Sequence, residues 1–264
     1  MNILEQIKQH KIKEVNTKKE LYSTKLLEQS IYFPTKCVSL VKYVTESFRS
    51  GIIAEFKRKS PSKGDINKYA NVQEVSMGYM QAGASALSIL TDEYFFGAKK
   101  EDLTIARKFN YCPILRKDFI IDEYQILEAK SMGADAILLI AKLLTPKQIQ
   151  NFTKFAHHLT LEVLVEFHNE KEINENNYYD FDLAGINNRD LSTFNVTVEN
   201  SLKLSELLPK NIVKVAESGI NSVQMVKKFK EHGFQGFLIG EYFMMHSNPV
   251  TKCSEFIKQL YDEN

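Results

Sequence analysis

The chain has 264 residues, of which 44% are hydrophobic and 25% are charged, as is ordinary for a folded protein with a sizeable core. Its 34 basic and 33 acidic residues nearly cancel, so no global field favours nucleic acid or an anionic membrane as a partner, and no apolar run is long enough to span a bilayer. The N-terminus lacks a signal-peptide core, and the three cysteines, Cys37, Cys112 and Cys253, fit neither a disulfide framework nor a zinc site, so we expect a cytoplasmic protein without an obligatory protein partner.

The first 48 residues are expected to form a helical extension that packs on a main domain of residues 49–264. From about residue 3 to residue 27 the chain is highly charged, and Pro34 breaks the pattern. The apolar residues of this stretch are spaced as in an amphipathic helix: Leu4, Ile7, Ile12, Val15 and Leu21. A second short apolar face follows: Leu40, Val41, Val44 and Phe48.

The first predicted strand lies in residues 52–62, where an apolar run ends in a cluster of charges. Glu55 and Lys57 are two residues apart, so their side chains point to the same face of the strand. Burying both is costly unless they meet each other or a ligand, and we therefore predict a site there. Arg58 and Lys59 are expected to be solvent-exposed cations at the strand end, followed by a flexible loop.

A repeat runs through the rest of the chain. Gly83, Gly133 and Gly233 each end a helical pattern and precede a short, almost unbroken apolar run. This order predicts a helix C-cap followed by a strand that is buried on both faces.

Further strands of the same kind are predicted at residues 113–115, 161–165, 183–186 and 213–216, which with the others makes eight. The stretches between them carry helical periodicity. Eight alternations of strand and helix predict a (β/α)8 barrel, the TIM barrel fold. The alternative is a doubly wound open sheet, but the chain lacks the glycine-rich turn of a dinucleotide-binding sheet.

In such a barrel the chemistry lies at the carboxyl ends of the strands. Two lysines and an arginine at these ends imply an anionic substrate. Glu166 follows an apolar strand, so we expect burial to raise its pKa and suit it to proton transfer. Lys117 is a candidate general acid. The polar strand ends are Glu55, Lys57, Thr91, Asp92, Lys117, Glu166, Asn187, Arg189, Glu217, Ser218, Gly240 and Glu241.

The ends of the seventh and eighth predicted strands favour phosphate binding. Backbone N–H groups of Ser218 and Gly219, and of Gly240 and Glu241, are placed to cradle a phosphate beside a helix N-terminus. The alternative is that these glycines only make tight turns.

Asp92 and Asp118 are expected to cap the helices that follow them. Phe95 and Phe96 are expected either to pack in the core or to line an aromatic substrate pocket.

Together these motifs resemble the indole-3-glycerol-phosphate synthase family, phosphate-binding barrels of tryptophan biosynthesis. The resemblance touches every predicted strand except the fourth. It rests on residues 53–62, 90–92, 95–97, 115–120, 164–166, 185–191, 216–220 and 238–241.

The resemblance implies that the chain converts 1-(2-carboxyphenylamino)-1-deoxyribulose 5-phosphate into indole-3-glycerol phosphate, with loss of carbon dioxide and water. Lys117 would protonate the carbonyl oxygen, and Lys57 and Glu166 would serve the dehydration, with acid and base left open between them. Glu55 would position Lys57. No metal or organic cofactor is implied, because side chains can meet the developing charge. The residues implied to bind the substrate are Glu55, Ser60, Phe96, Phe119, Leu138, Ile140, Asn187, Arg189, Glu217 and Leu238.

Two alternatives stay open on the residues alone. A sugar-phosphate isomerase would explain the phosphate motif equally well, but it does not call for Lys57 and Lys117 at the first and third strands. A non-catalytic barrel that binds a phosphorylated ligand would tolerate the loss of Glu166 and Lys117.

Overall fold

The structure is a computed structural model that describes residues 3–177, 180–189 and 197–262, and a closed barrel of eight parallel strands lies at its centre. Each strand pairs with the next along the chain, and the last pairs with the first, with Ala54 opposite Ile239. The predicted barrel is therefore confirmed. The strands are β1 (Ile52–Phe56), β2 (Ala86–Leu90), β3 (Ile114–Lys117), β4 (Ala136–Ile140), β5 (Glu162–Phe167), β6 (Leu183–Asn187), β7 (Val213–Glu217) and β8 (Phe234–Ile239).

Helices separate the strands and surround the barrel. They are α1 (Ile3–Leu21), α2 (Thr24–Glu28), α3 (Leu40–Thr45), α4 (Val72–Gln81), α5 (Glu93–Phe96), α6 (Asp102–Phe109), α7 (Glu123–Met132), α8 (Pro146–His158), α9 (Glu170–Glu175), α10 (Val198–Ser205), α11 (Val223–Glu231), α12 (Glu241–Met244) and α13 (Pro249–Asp262). Gly83, Gly133 and Gly233 follow the ends of α4, α7 and α11 with φ of 97°, 88° and 80°, which confirms them as helix-ending residues. Among the helices of the described ranges, none has the length and hydropathy that crossing a membrane requires.

Alternating strand side chains build two apolar layers. Ile53, Leu115 and Leu164 belong to the layer that fills the barrel, and all three are fully buried. Neighbours such as Ile52 and Val163 belong to the layer between the strands and the surrounding helices. Because both faces of every strand are covered, the strands read in the sequence as continuous apolar runs.

The N-terminal helices contact both ends of the barrel. Before α3, the hydroxyl of Ser39 donates to Glu162 at the start of β5 (2.5 Å), and the backbone N–H of Val38 donates to Asp135 just before β4 (2.8 Å). At the opposite end, Ile7 of α1 packs with Phe95 and other residues near the carboxyl ends of the strands. The boundary at residue 48 between extension and barrel stays a prediction.

Several predictions about this extension are wrong. The first helix ends at Leu21 rather than near residue 27, because Ser23 caps a new helix, α2. Ile12, Leu21 and Phe48 are 39%, 66% and 71% exposed, so they do not belong to a buried face.

The buried face of α1 instead carries a lysine. The Lys11 ammonium is fully buried and lies 2.9 Å from Asp92 and 2.8 Å from Asp118. Asp92 caps α5 as predicted, accepting from the N–H of Phe95 at 2.6 Å. Asp118 is not a helix cap, because Asp122 caps the following helix; Asp118 instead holds Lys11 and Arg116.

The expected exposure of Arg58 is also wrong. Its guanidinium is buried and pairs with Asp102 at the start of α6. The loop after β1 is partly regular, because Lys59–Ser60 and Gly64–Asp65 form a short antiparallel hairpin.

Candidate active site

A cavity of about 710 Å³ opens at the carboxyl ends of the strands. Among the polar strand ends Thr91 does not line it, but every residue predicted to bind the substrate or its phosphate, or to act on the substrate, does. They are Glu55, Lys57, Ser60, Phe96, Lys117, Phe119, Leu138, Ile140, Glu166, Asn187, Arg189, Glu217, Ser218, Gly219, Leu238, Gly240 and Glu241. The structure thus brings these residues together, and their individual roles stay predictions. Asp190 and Leu191, which belong to the family resemblance, lie outside the described residues.

Lys117 lies between two buried carboxylates. Its Nζ is 2.9 Å from Oε2 of Glu166 and 2.5 Å from Oε2 of Glu217. Each of these residues lies at or next to the last position of its strand. The barrel therefore brings them together although they are up to 100 residues apart in the sequence. The ammonium balances buried negative charge that is costly to leave unpaired.

The two carboxyl groups differ in acidity. Burial opposes ionisation of Glu166, but Lys117 and His168 outweigh it and hold the pKa of Glu166 well below its usual range. Burial, together with the nearby Glu166 carboxylate, raises the pKa of Glu217 to about 7 despite Lys117. The expected raised pKa of Glu166 is therefore wrong, and Glu217 is the carboxyl group with that property. Burial would lower the pKa of Lys117, but Glu166, Glu217 and Glu55 raise it, so the ammonium stays protonated.

Glu55 and Lys57 form the second charged pair of the cavity. Lys57 Nζ donates to Oε1 of Glu55 at 2.7 Å, as the shared strand face predicts. Room for the carboxylate comes from Gly240, where a Cβ atom would lie only 2.4 Å from Oε1 of Glu55. Gly185 plays the same part for Glu217, since a Cβ there would lie 2.2 Å from Oε1 of that carboxylate.

A third charged group lies at the rim. Arg189 Nη2 donates to Oε2 of Glu241 at 3.1 Å, and Nζ of Lys63 lies 3.3 Å from Oε1 of the same residue. Asn187 contacts both parts of the site, because its Nδ2 donates to Glu166 at 3.1 Å and its Oδ1 accepts from the N–H of Arg189 at 3.0 Å. The sequence analysis did not predict Lys63 as a site residue, because it lies in a loop and only the hairpin brings it to the cavity.

The turn after β7 has an unusual backbone. Ser218 and Gly219 have φ of 66° and 72°, and a positive φ is uncommon for a residue with a side chain. Asn188 supports this turn, because its Nδ2 donates to the carbonyls of Glu217 at 2.9 Å and Ser218 at 2.7 Å. On the neighbouring strand, Gly240 is the N-cap of α12. Unusual backbone held in place by buried side chains is common at binding sites.

One wall of the cavity is apolar. Phe96 and Phe119 pack with ring centroids 5.9 Å apart, and Leu138, Ile140 and Leu238 complete the cavity's apolar wall. Phe95 is buried in packing, so of the two phenylalanines only Phe96 lines the cavity. Sequence reasoning missed three apolar residues of α1 that also line the cavity: Ile3, Leu4 and Ile7. The amphipathic pattern shows that α1 has a buried face, but not which part of the barrel that face covers.

A buried histidine behind Glu166 was also missed. His168 Nε2 lies 3.2 Å from Oε1 of Glu166, and Nδ1 lies 3.5 Å from Oε2 of Glu172. Burial would lower the pKa of His168, but the two carboxylates raise it to about 9. The one feature of the sequence that could have indicated this contact is the position of His168 two residues after Glu166.

Solved structures with the same fold include proteins that differ widely in sequence. Thiamine phosphate pyrophosphorylase from Pyrococcus furiosus matches with a TM-score of 0.61 and 15% identity, covering 85% of this chain and 98% of that one. 3-Hexulose-6-phosphate synthase from Salmonella typhimurium matches with a TM-score of 0.62 and 12% identity, covering 81% and 99%. At these identities the likeness concerns the fold alone.

The sequence comparisons are more specific. The family model described as indole-3-glycerol phosphate synthase matches residues 4–259. Proteins of that name are similar to this chain at 46% identity in Bacteroides thetaiotaomicron, covering 98% of this chain and 99% of the relative, and at 39% in Campylobacter hominis, covering 96% and 98%. Since both the family model and these relatives span nearly the whole chain, the protein belongs to the indole-3-glycerol phosphate synthase family.

Proposed function

We propose that the protein converts 1-(2-carboxyphenylamino)-1-deoxyribulose 5-phosphate into indole-3-glycerol phosphate, carbon dioxide and water, a step of tryptophan biosynthesis. The observation that carries this proposal is the arrangement of the cavity. The cavity brings together a buried ammonium, Lys117, an apolar wall and a glycine-containing turn of the kind that binds phosphate. These three parts match a substrate that carries an aromatic ring, a carbonyl group and a phosphate.

Lys117 is proposed to act first, as the acid of ring closure. The ring carbon that bears the carboxylate attacks the ribulose carbonyl carbon, and the carbonyl oxygen takes a proton from Lys117 and becomes a hydroxyl group. Breaking the bond between ring and carboxylate then releases carbon dioxide and restores aromaticity. The raised pKa of Lys117 keeps the lysine protonated before substrate arrives, and the interaction strengthens as charge develops on oxygen.

Dehydration needs an acid for the leaving hydroxyl group and a base on the nitrogen side of the new ring. The lowered pKa of Glu166 means that this residue enters the reaction as a carboxylate, which can accept a proton but has none to give. We therefore assign Glu166 as base and Lys57 as acid. Glu55, 2.7 Å from Lys57, orients that lysine, which also serves to hold the substrate carboxylate before it is lost.

The phosphate is proposed to bind at the turns after β7 and β8, on the backbone N–H groups of Ser218, Gly219, Gly240 and Glu241. Arg189 supplies a nearby cation. Because Arg189 pairs with the Glu241 side chain in the described state, phosphate has to compete with that carboxylate for the guanidinium.

The other contacts follow from the shape of the cavity. We assign the aromatic ring to Phe96, Phe119, Leu138, Ile140 and Leu238. Ser60 lies in the hairpin that borders the cavity, and Asn187 lies between Glu166 and Arg189, so both are assigned to the ribulose portion.

The test is to incubate the purified protein with the carboxyphenylamino substrate and to follow indole fluorescence. The chain contains no tryptophan, so product emission rises over little background. We expect wild-type protein to produce indole-3-glycerol phosphate and Lys117→Met to produce almost none. Tight binding of substrate without any product would support a non-catalytic barrel instead. Interconversion of aldose and ketose phosphates, without indole formation, would support the isomerase.

A further inference from the structure

His168 lies directly behind the proposed catalytic carboxylate, outside the lining of the cavity. It follows the last residue of β5, and its side chain is 3% exposed. Its Nε2 is 3.2 Å from Oε1 of Glu166, and its Nδ1 is 3.5 Å from Oε2 of Glu172 on α9. The imidazole ring is thus enclosed between two carboxylates.

This geometry indicates the charge of the ring. A neutral imidazole has one N–H donor and one lone pair, so with a carboxylate at each nitrogen it would turn the lone pair towards one of them. Only the imidazolium presents a hydrogen to both carboxylates. Neither ring nitrogen makes a well-formed hydrogen bond to these carboxylates, so the attraction is mainly between charges. The raised pKa of His168, about 9, agrees with this assignment.

Glu172 is held in place independently of the histidine side chain. Its Oε2 accepts the backbone N–H of His168 at 2.7 Å, and its Oε1 accepts from Nδ2 of Asn169 at 2.6 Å. The N–H of Glu172 in turn donates to Asn169 Oδ1 at 2.9 Å, which caps α9. A fixed carboxylate therefore lies behind the ring and favours its protonated form.

We propose that His168 is a positioning residue whose buried positive charge keeps Glu166 ionised and leaves its Oε2 directed at Lys117 and the substrate. This proposal rests on the proposed function, because it explains how Glu166 is maintained as a base. It also explains why the two carboxylates around Lys117 differ. Both contact the same ammonium, but His168 contacts only Glu166, and Glu217 has no second cation among the described residues.

The groups that face Glu166 come from four strands. Lys117 and Asn187 donate to it from β3 and β6, His168 lies beside it after β5, and the carboxyl group of Glu217 on β7 opposes its ionisation. The charged groups against His168 are Glu166 and Glu172. Substituting the histidine therefore removes one of two cations from Glu166 and leaves the other in place.

The charge of the ring is tested without measuring activity. In wild-type protein, the ring ¹⁵N shifts of His168, assigned by their absence in His168→Gln, are expected to show imidazolium at pH 7.5 and a titration near pH 9. Glu172→Gln should move this titration to lower pH, because one of the two carboxylates is gone. A ring that is already neutral at pH 7.5 in the wild type would overturn the proposal, whether or not the enzyme makes indole-3-glycerol phosphate.

Kinetics test the effect on Glu166. Glutamine keeps an N–H group towards Glu166 but removes the charge, so His168→Gln should lower kcat and leave KM almost unchanged. Because Glu166 then binds a proton more readily, the loss relative to wild type should be greater at pH 5.5 than at pH 8.

Two controls separate positioning from folding. His157→Gln removes a histidine that pairs with Asp182 at 2.8 Å away from the cavity, and it should leave the pH profile unchanged. Unfolding midpoints of all variants are measured at both pH values. A loss in His168→Gln that is equal at pH 5.5 and pH 8, or that follows the loss of stability, would mean that His168 only packs behind the site.

Discussion

Replacing Glu217 with glutamine should stabilise the protein at alkaline pH, and the sign follows from the raised pKa of this carboxyl group. Glu217 is 1% exposed, and burial together with Glu166 raises its pKa from the ordinary 4.5 to about 7. Between these values the folded protein binds a proton more tightly than the unfolded chain does. The folded state therefore loses stability as pH rises, with no loss well below pH 4.5 and the full loss above pH 7.

The difference between about 7 and 4.5, at about 1.4 kcal/mol for each pKa unit, corresponds to about 3 kcal/mol of unfolding free energy. Glutamine has the shape of the protonated acid and cannot ionise, so Glu217→Gln avoids this loss. The variant should gain less than about 1 kcal/mol at pH 5 and about 3 kcal/mol at pH 8.5. For a chain of this length, the larger gain corresponds to a rise in Tm of roughly 6 °C.

The assay is urea unfolding of both proteins at pH 5 and pH 8.5, with equal m-values required before the free energies are compared. Glu166→Gln is the matched control, because it removes the other carboxylate from Lys117. The pKa of Glu166 is lowered, so its ionised form stabilises the fold above its unfolded pKa, and this contribution is lost as pH falls through its folded pKa. Glu166→Gln should therefore be less stable than wild type at pH 8.5. Equal effects of Glu217→Gln at both pH values, or the same sign for both variants at pH 8.5, would refute the reasoning.

Substitutions at four further positions test the site. Lys117→Met should keep the far-UV circular dichroism of the wild type and lose kcat by at least about 10²-fold. Lys117→Arg should not restore the rate, because guanidinium keeps its proton. An active arginine variant would mean that Lys117 acts only through its positive charge. Gly240→Ala places a Cβ atom 2.4 Å from Oε1 of Glu55, so kcat/KM should fall as that carboxylate is displaced from its lysine; unchanged kcat/KM would contradict the packing. Gly219→Asp brings negative charge to the proposed phosphate site and should raise KM and weaken competition by inorganic phosphate, whereas an unaltered KM would place the phosphate elsewhere. Gly64→Pro cannot adopt the native φ of 68°. If the hairpin closes over the substrate, kcat and KM of this variant should change together, and kinetics identical to wild type would contradict such a closure.

The barrel and the membership of its site could be predicted from the sequence because two general constraints act on them. Strands covered on both faces read as apolar runs, and parallel strands of a barrel present their carboxyl ends at one mouth. A polar residue directly after such a run, as Glu217 is after residues 213–216, was therefore placed correctly without knowledge of its partners. The glycines that precede three of the strands independently indicate the same alternation of helix and strand.

The partners themselves could not be predicted, because they depend on which side chains the fold brings together across long separations. Arg58 reads as an exposed strand-end cation, yet it meets Asp102, 44 residues away. Lys11 lies on a helix that looks like a surface helix, yet it meets Asp118 inside the protein. The prediction of a raised pKa for Glu166 was wrong for the same reason. Burial alone would raise this pKa, and only the contacting cations lower it.

Buried charges in this barrel fall into two kinds that differ in what they do for the fold. In the cluster around Asp118, burial opposes ionisation, but Lys11 and Arg116 outweigh it and lower the pKa of the carboxyl group, so its charge favours folding. Around Lys117, by contrast, the ionised Glu217 opposes folding even though an ammonium is 2.5 Å away. Asp135, buried beside Arg107 outside the cavity, also has a raised pKa, so this property alone does not mark a site. What supports a chemical role for the charges around Lys117 is that one ammonium contacts two carboxyl groups with opposite pKa shifts inside the cavity.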